Sequence, residues 1–420
     1  MAQLTNSSES TTSAAGDRSG PAKNLRILDL GNFLGGPFCS TLLAEMGAEV
    51  VKVEHPTKSD GLRHIGARTA SVNGQSMFWA QEGRNKSFIT CNLSTPAGQA
   101  IILDLVKSGF DVVLENYVPG TIERWNLSYE TLAAANERVI LARVSGYGQT
   151  GPRSAMPGYA PIAQGLGGLT YLCGEPGGEP LTPGSSALVD YVAGMFSAVG
   201  VLAAIEERNH SGRGQVIDVS LYESLLRVMD SLTAEYGFSG KVREAAGRFT
   251  PIVAPNGQFK TADGKWITLA CGTDDQFKKF CISTGHADMI ERPEFSSFAL
   301  RQANAPLVNR LVENEITSTF NRDDLLKICD ENRVPAAPVN SIADIYADPH
   351  VIARGSIMTA YSEEWGQVSM PVSVPRFSRT PGNIRSLGAM ESGRDNEAVL
   401  GGLLGMSAQQ LKELQSEGVI

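Results

Sequence analysis

The sequence predicts an α/β chain: a large domain on a doubly wound, Rossmann-like parallel sheet, with a smaller α+β domain. Three observations predict it. Short β-branched runs alternate with helical patterns through the first half of the chain. Glycine-rich loops follow two of these runs. Beyond about residue 235 the alternation gives way to turn-punctuated, mixed elements.

Taken in order, 26–30 reads as a buried strand, 31–37 as a loop, and 38–46 as a helix stopped at Gly47. Residues 50–54 form the next strand. Thr95 as N-cap and Pro96 at the first helical position open a helix that puts Ile101, Ile102, Leu105 and Val106 on one face and ends at Gly109. A strand at 112–114, a helix over 128–136 and a strand at 139–144 follow. A long apolar helix starts near Asp190, then a strand at 214–220 and a helix over 221–232. Residues 258–260 and 266–270 read as a hairpin around Asp263-Gly264, with further turns at Thr250-Pro251 and Asn256-Gly257. A short helix over 407–415 closes the chain. The implied organisation is a disordered Ser/Thr/Gly/Ala-rich tail (1–22), a large domain (23–230, completed by 346–420) and a small domain (231–345).

The 420 residues are 42% hydrophobic, enough for a large core. A net charge of -9 and the lack of a basic run argue against a nucleic-acid partner. No apolar run reads as long enough to span a bilayer, so no membrane partner is expected. The tail lacks an apolar signal core, and the six cysteines form no CxxC pair. Together these point to a cytoplasmic chain with free thiols and no metal site.

The sequence Gly146-Tyr147-Gly148-Gln149-Thr150-Gly151 has dinucleotide-loop spacing, but Pro152 and Pro157 follow where a helix must open, so a nicotinamide reading fails. The loop 31–37 lies between strand and helix without a P-loop lysine. Its excess glycine suits close backbone approach to a ligand. The five histidines show no ligand spacing, and no GxSxG elbow exists for a serine hydrolase.

Asp190 is the most informative residue. Small residues 184–187 deliver it to the start of a helix whose Val192, Met195, Phe196, Val199, Leu202 and Ala203 recur at helical spacing, as one buried face would. Read locally, it is a helix N-cap kept ionised by the helix dipole. An ionised carboxylate beside a core is also a competent nucleophile.

Several segments together carry a resemblance: 27–30 with 47–54; Arg84-Asn85-Lys86 with Leu93 and Thr95-Pro96; 115–120; 145–152; 212–215; and, further on, 334–339 and Asp348-Pro349. In this order they resemble the family III CoA-transferases of the formyl-CoA and carnitine CoA-transferase type, over nearly the whole chain from about residue 24. The resemblance implies that Asp190 is a covalent nucleophile. It implies CoA transfer from an acyl-CoA such as succinyl-CoA to a small carboxylic acid, with CoA as substrate and no permanently bound cofactor. It also implies interlocked, ring-like dimers: a homodimer, or a heteromer with a related subunit.

The family's CoA contacts fall on Leu34 and Gly35; on His55, where relatives carry arginine; on Cys91, Asn92, Leu93 and Ser94; on Asn116, Tyr117 and Val118; on Arg124; and on Val144, Ser145, Gly146 and Tyr147. Arg124, Lys86 and Arg63 are the expected phosphate cations. Phe33, Tyr147, Tyr159 and Tyr191 are expected around the acyl group. The same fold hosts α-methylacyl-CoA racemases, whose histidine base is replaced here by Tyr159, a poor base at neutral pH. A non-catalytic CoA-binding subunit of a heteromer is the other alternative.

Overall fold

The computed structural model describes residues 18–66, 70–185, 187–250 and 252–420. Two compact units emerge. One runs to Gly167 and takes in Gly184–Asp230 and Gly355–Ile420; the other comprises Gly168–Pro183 and Ser231–Arg354.

The first unit contains six strands: β1 (Arg26–Asp29), β2 (Glu49–Glu54), β3 (Lys86–Thr90), β4 (Val112–Glu115), β5 (Ile140–Ser145) and β6 (Val216–Ser220). They lie in the order β3-β2-β1-β4-β5-β6, and every neighbouring pair is parallel. This is the doubly wound order, with its switch point between β1 and β4, so all six carboxyl ends share one edge. The helices that matter are α1 (Pro37–Glu45), α2 (Pro96–Lys107), α3 (Tyr129–Ala135), α4 (Leu188–Ser211) and α5 (Leu221–Arg227).

Local chemistry sets the boundaries. Thr95 caps α2 through its hydroxyl, which accepts from the Gly98 N–H at 3.1 Å, and Pro96 takes the position where no N–H is needed. Leu28, Val51, Ile89, Val113 and Leu141 meet Ile102, Leu105 and Val106 of α2 in one buried cluster. Val399, Leu400, Val419 and Ile420 join that cluster, so the C-terminal segment completes this unit.

Strand β3 was not foreseen from the sequence. It opens with a lysine, and its apolar signal is confined to Phe88 and Ile89. The antiparallel hairpin Ile357–Ser362 and Gly366–Pro371 was also not foreseen. The helix expected over 221–232 stops at Arg227, and Asp230 takes a φ of 46° before a separate helix, Leu232–Ser239.

Residues 1–17 of the expected tail lie outside the described residues, as do Ser186 and Pro251. Residues 18–22 are packed: the Ala22 N–H donates to the Met46 carbonyl at 2.9 Å, and Arg18 pairs with Glu49 at 3.1 Å. The second unit holds the expected hairpin, Asn256–Lys260 with Trp266–Ala270, extended by Ala336–Pro338. Its core is a separate cluster around Phe259, Leu269, Phe277 and Phe280. Residues 168–183 belong to this unit and not to the large domain: the Tyr171 hydroxyl donates to Glu244 at 2.7 Å, and the Gly247 N–H donates to Gly174 O at 2.9 Å. Residues 346–354 also fall in it.

Helix α4 corrects two expectations. Its buried residues are Val189, Val192, Ala193, Gly194, Ser197, Ala198, Val201, Ala204 and Arg208. Gly194 packs so closely on α1 that a Cβ there would lie 2.9 Å from Phe38. Small residues thus make the contact, whereas Met195, Phe196, Val199 and Leu202, read as buried, are exposed, Val199 by 65%. The helix is apolar nearly all round, and by length and composition it is apolar enough to cross a membrane, with a mean hydropathy of 1.9 in its best window.

Candidate active site

The loops at the carboxyl edge of the parallel sheet build the site. Asp190 is the third residue of α4, not its N-cap. Ala187 holds the N-cap position and makes no side-chain cap bond. The Asp190 carboxylate is therefore free of the capping role. Among the described residues no group donates a hydrogen bond to it.

Gly35 lies against this carboxylate. A Cβ on Gly35 would sit 3.2 Å from Asp190 Oδ1, 3.4 Å from Leu221 of α5 and 3.7 Å from Val144 of β5. Three of the sequence-selected positions, Gly35, Val144 and Asp190, thus converge. Burial pushes the Asp190 pKa up to about 7. The expected dipole-stabilised carboxylate is corrected in direction: burial raises the Asp190 pKa.

The loop 31–37 is held rigidly. Asn116, just past β4, accepts from the Asn32 N–H at 2.7 Å and donates to the Asn32 carbonyl at 2.7 Å. The Asn32 side chain donates to the Tyr117 hydroxyl at 3.3 Å. Beneath the loop lies a buried charge network. Asp29 accepts from the Gly31 N–H at 3.1 Å, from Ser40 at 2.6 Å and from Lys86 at 3.0 Å. Lys86 also donates to the Pro37 carbonyl at 2.9 Å. Lys52 donates to the Gly31 carbonyl and pairs with Asp60 at 3.1 Å. Burial opposes ionisation of Asp29, but the two ammonium groups outweigh it and hold its pKa below the usual value.

Two expected phosphate cations are thereby removed. Lys86 is buried and committed to Asp29 and Pro37. Arg63 is buried too: it grips Glu54 at 2.9 and 2.6 Å, donates to the Ala389 and Met390 carbonyls, and stacks on Trp79. Both were placed on the ligand because charge was read without partners. Arg124 remains: it is exposed, and its side chain donates to the Thr121 hydroxyl at 3.0 Å.

The other positions occupy the same edge of the sheet. His55 directly follows β2. Its Nδ1 accepts from the Thr57 N–H at 3.2 Å, and partial burial and nearby Lys58 lower its pKa, which keeps it neutral. Residues 91–94 follow β3, but Cys91 and Leu93 are packed in the main core, so only their backbone is available to a ligand. Burial pushes the Cys91 thiol up to about 12. Asn92 is used locally, accepting from the Ser94 hydroxyl at 2.6 Å. Val118 is exposed and Leu34 is buried. After β5, the Ser145 hydroxyl accepts from the Gly148 N–H at 2.9 Å. Gly146 abuts Gly158 so tightly that a Cβ would lie 2.6 Å from its Cα, and Tyr147 also packs on Gly158. No helix opens until Ala160, which disposes of the dinucleotide reading. Tyr159, in the racemase-base position, is 64% exposed.

Sequence reasoning missed Lys52 and Asp60. A signal existed for Lys52: a lysine inside the apolar run Val50-Val51-Lys52-Val53 demands a buried partner.

Comparison with known proteins gives the family and agrees with the fold. The family model for CoA-transferase family III matches residues 23–393. The chain is similar to the succinyl-CoA–L-malate CoA-transferase beta subunit of Chloroflexus aurantiacus, 42% identical and covering 95% of this chain and 98% of that protein. It is 34% identical to the succinate–glutarate CoA-transferase of Agrobacterium fabrum, over 87% of this chain and 91% of that one. A crystal structure of a CAIB/BAIF family protein from Brucella suis aligns with a TM-score of 0.79 at 31% identity, covering 92% of this chain and all of that one. A parallel sheet with an acidic residue at its carboxyl edge, and a match spanning both units, lead to one conclusion: the chain belongs to CoA-transferase family III and is an enzyme that transfers CoA.

Proposed function

We propose that this enzyme moves CoA from succinyl-CoA to a small carboxylic acid through a covalent thioester on Asp190. The observation that carries the reading is the Asp190 carboxylate: it lies against Gly35 and receives no hydrogen bond among the described residues. The names of the relatives, with succinyl-CoA or succinate on one side and malate or glutarate on the other, support the donor and the acceptor class.

The steps balance without ATP. An Asp190 oxygen attacks the donor thioester carbonyl, the carbon–sulfur bond breaks, and CoA leaves as the thiolate. The thiolate attacks the Asp190 carbonyl of the mixed anhydride, and the donor acid departs as carboxylate, leaving an aspartyl-CoA thioester. The acceptor carboxylate attacks that carbonyl and frees the thiolate again. The thiolate then takes the acceptor's acyl group, and Asp190 is restored. Such a site needs positioning, charge stabilisation and exclusion of water. Arg124 meets a CoA phosphate, and the neutral His55 gives a weaker contact than the arginine of relatives.

The test is intact-mass and peptide mass spectrometry after incubation with succinyl-CoA. A CoA-sized addition on the peptide carrying Asp190 is expected. Folded, CoA-binding protein that never carries one would dispose of the nucleophile.

The exposed apolar flank of α4 supports a dimer, in which a second copy or a related subunit covers Met195, Phe196, Val199 and Leu202. An interlocked ring is the arrangement that fits this family. Val199→Asp should shift the mass measured by light scattering from dimer to monomer; an unchanged mass rejects this face. The cysteines, free and mostly buried, support a reducing, cytoplasmic setting.

A further inference from the structure

Phe33 is a bulky residue held in the left-handed region, with φ 59°. Such a conformation is unfavourable for a side chain of this size and persists only where neighbours enforce it. Here they do. The Phe33 N–H donates to both oxygens of Asp60, at 2.9 and 3.2 Å. Asp60 is itself buried and fixed by Lys52 at 3.1 Å and by the Leu62 N–H at 2.9 Å. The ring lies over Gly61, where a Cβ would come within 2.5 Å of the ring tip, so glycine there lets the ring settle in this position. The core does not explain this arrangement, since Phe33 stays 41% exposed while Leu34 beside it is buried. Two residues on, Gly35 touches Asp190.

We propose that Phe33 is a specificity-determining wall of the acyl pocket. It favours short acids and keeps water from the aspartyl thioester, and Asp60 is the positioning residue that aims it. The proposal rests on the Asp190 reading. Without the wall, water attacks the Asp190 carbonyl, CoA leaves as its thiol, and the carboxylate returns with no product thioester formed.

The experiment uses the full chain, with succinyl-CoA as donor and unbranched dicarboxylic acids of increasing length as acceptors. Phe33→Asn removes the ring while an asparagine tolerates the left-handed backbone. Its ratio of succinyl-CoA hydrolysis to transfer should rise by about 10- to 200-fold, and its preference for short acids should flatten, with KM for the donor little changed. Asp60→Asn should move the ratio in the same direction with the ring present. Adding it to Phe33→Asn should change nothing further, because both act on one element. Should Phe33→Asn carry the Asp190 adduct yet keep the parental ratio and acid preference, the proposal is overturned; so it is if the two substitutions multiply. An unsubstituted protein that never forms the adduct sinks the Asp190 reading instead.

Discussion

Asp190→Asn is expected to abolish CoA transfer and the covalent adduct, with a loss of at least about 10⁴-fold in kcat, while making the protein more stable. Both effects have one cause. The carboxylate lies in a desolvated position with no donor to compensate it among the described residues, and its pKa is pushed up to about 7. The unfolded chain loses this proton near pH 4, whereas the folded chain keeps it until about pH 7. Between those limits the folded state binds the extra proton, so stability falls as pH rises, and above pH 7 the full penalty remains. Asparagine carries no such charge. Allowing for the part of the carboxylate that meets water, the variant should gain on the order of 2 kcal/mol near pH 8 and little at pH 4. Urea denaturation at the two pH values measures this, and equal gains at both would contradict it. Catalysis has the opposite sign. Only the ionised form attacks, so the rate of donor-thioester consumption should climb about tenfold per pH unit below 7 and level off above it. A site can be destabilised in this way because its function requires it.

Lys86→Met should have the largest effect on stability. It leaves Asp29 fully buried, with Lys52 3.9 Å away as its remaining cation. Breaking a buried pair on one side costs about 3–5 kcal/mol, because the surviving charge keeps its desolvation penalty. The double substitution Asp29→Asn with Lys86→Met should recover much of the loss, since no uncompensated carboxylate remains. Activity should fall too, by about 10- to 100-fold, since the Pro37 carbonyl keeps only the Ser40 and Thr41 hydroxyls as donors and Gly35 shifts relative to Asp190. Denaturation midpoints of the single and double variants decide the matter. A double variant as unstable as Lys86→Met alone would show that the ion pair is not the source of the loss.

Much of the fold was legible because its signals are local. Alternating strand and helix patterns, Thr95-Pro96 and the glycine stops all act within a few residues. Strand β3 was not legible, because an edge strand opening on a buried lysine carries little periodicity. The exposed flank of α4 was misjudged for a related reason. Periodicity shows that a helix is apolar, but it does not show which apolar side meets the core when nearly all sides qualify. At the site, Asp190 and the glycine loop could be picked out as types in a pattern. Lys86 and Arg63 were misassigned to a ligand because an unpaired cation and one half of a buried pair look alike in sequence.

By itself, then, the sequence determined the α/β class, the order of the loops and the family likeness, all of which depend on near neighbours along the chain. Tertiary structure alone decided which charges are sealed and which are open, that Gly35 meets Asp190, and that Asp60 bends Phe33 into a left-handed turn. Those are contacts between residues distant in the chain, and burial energies arise only when such residues come together.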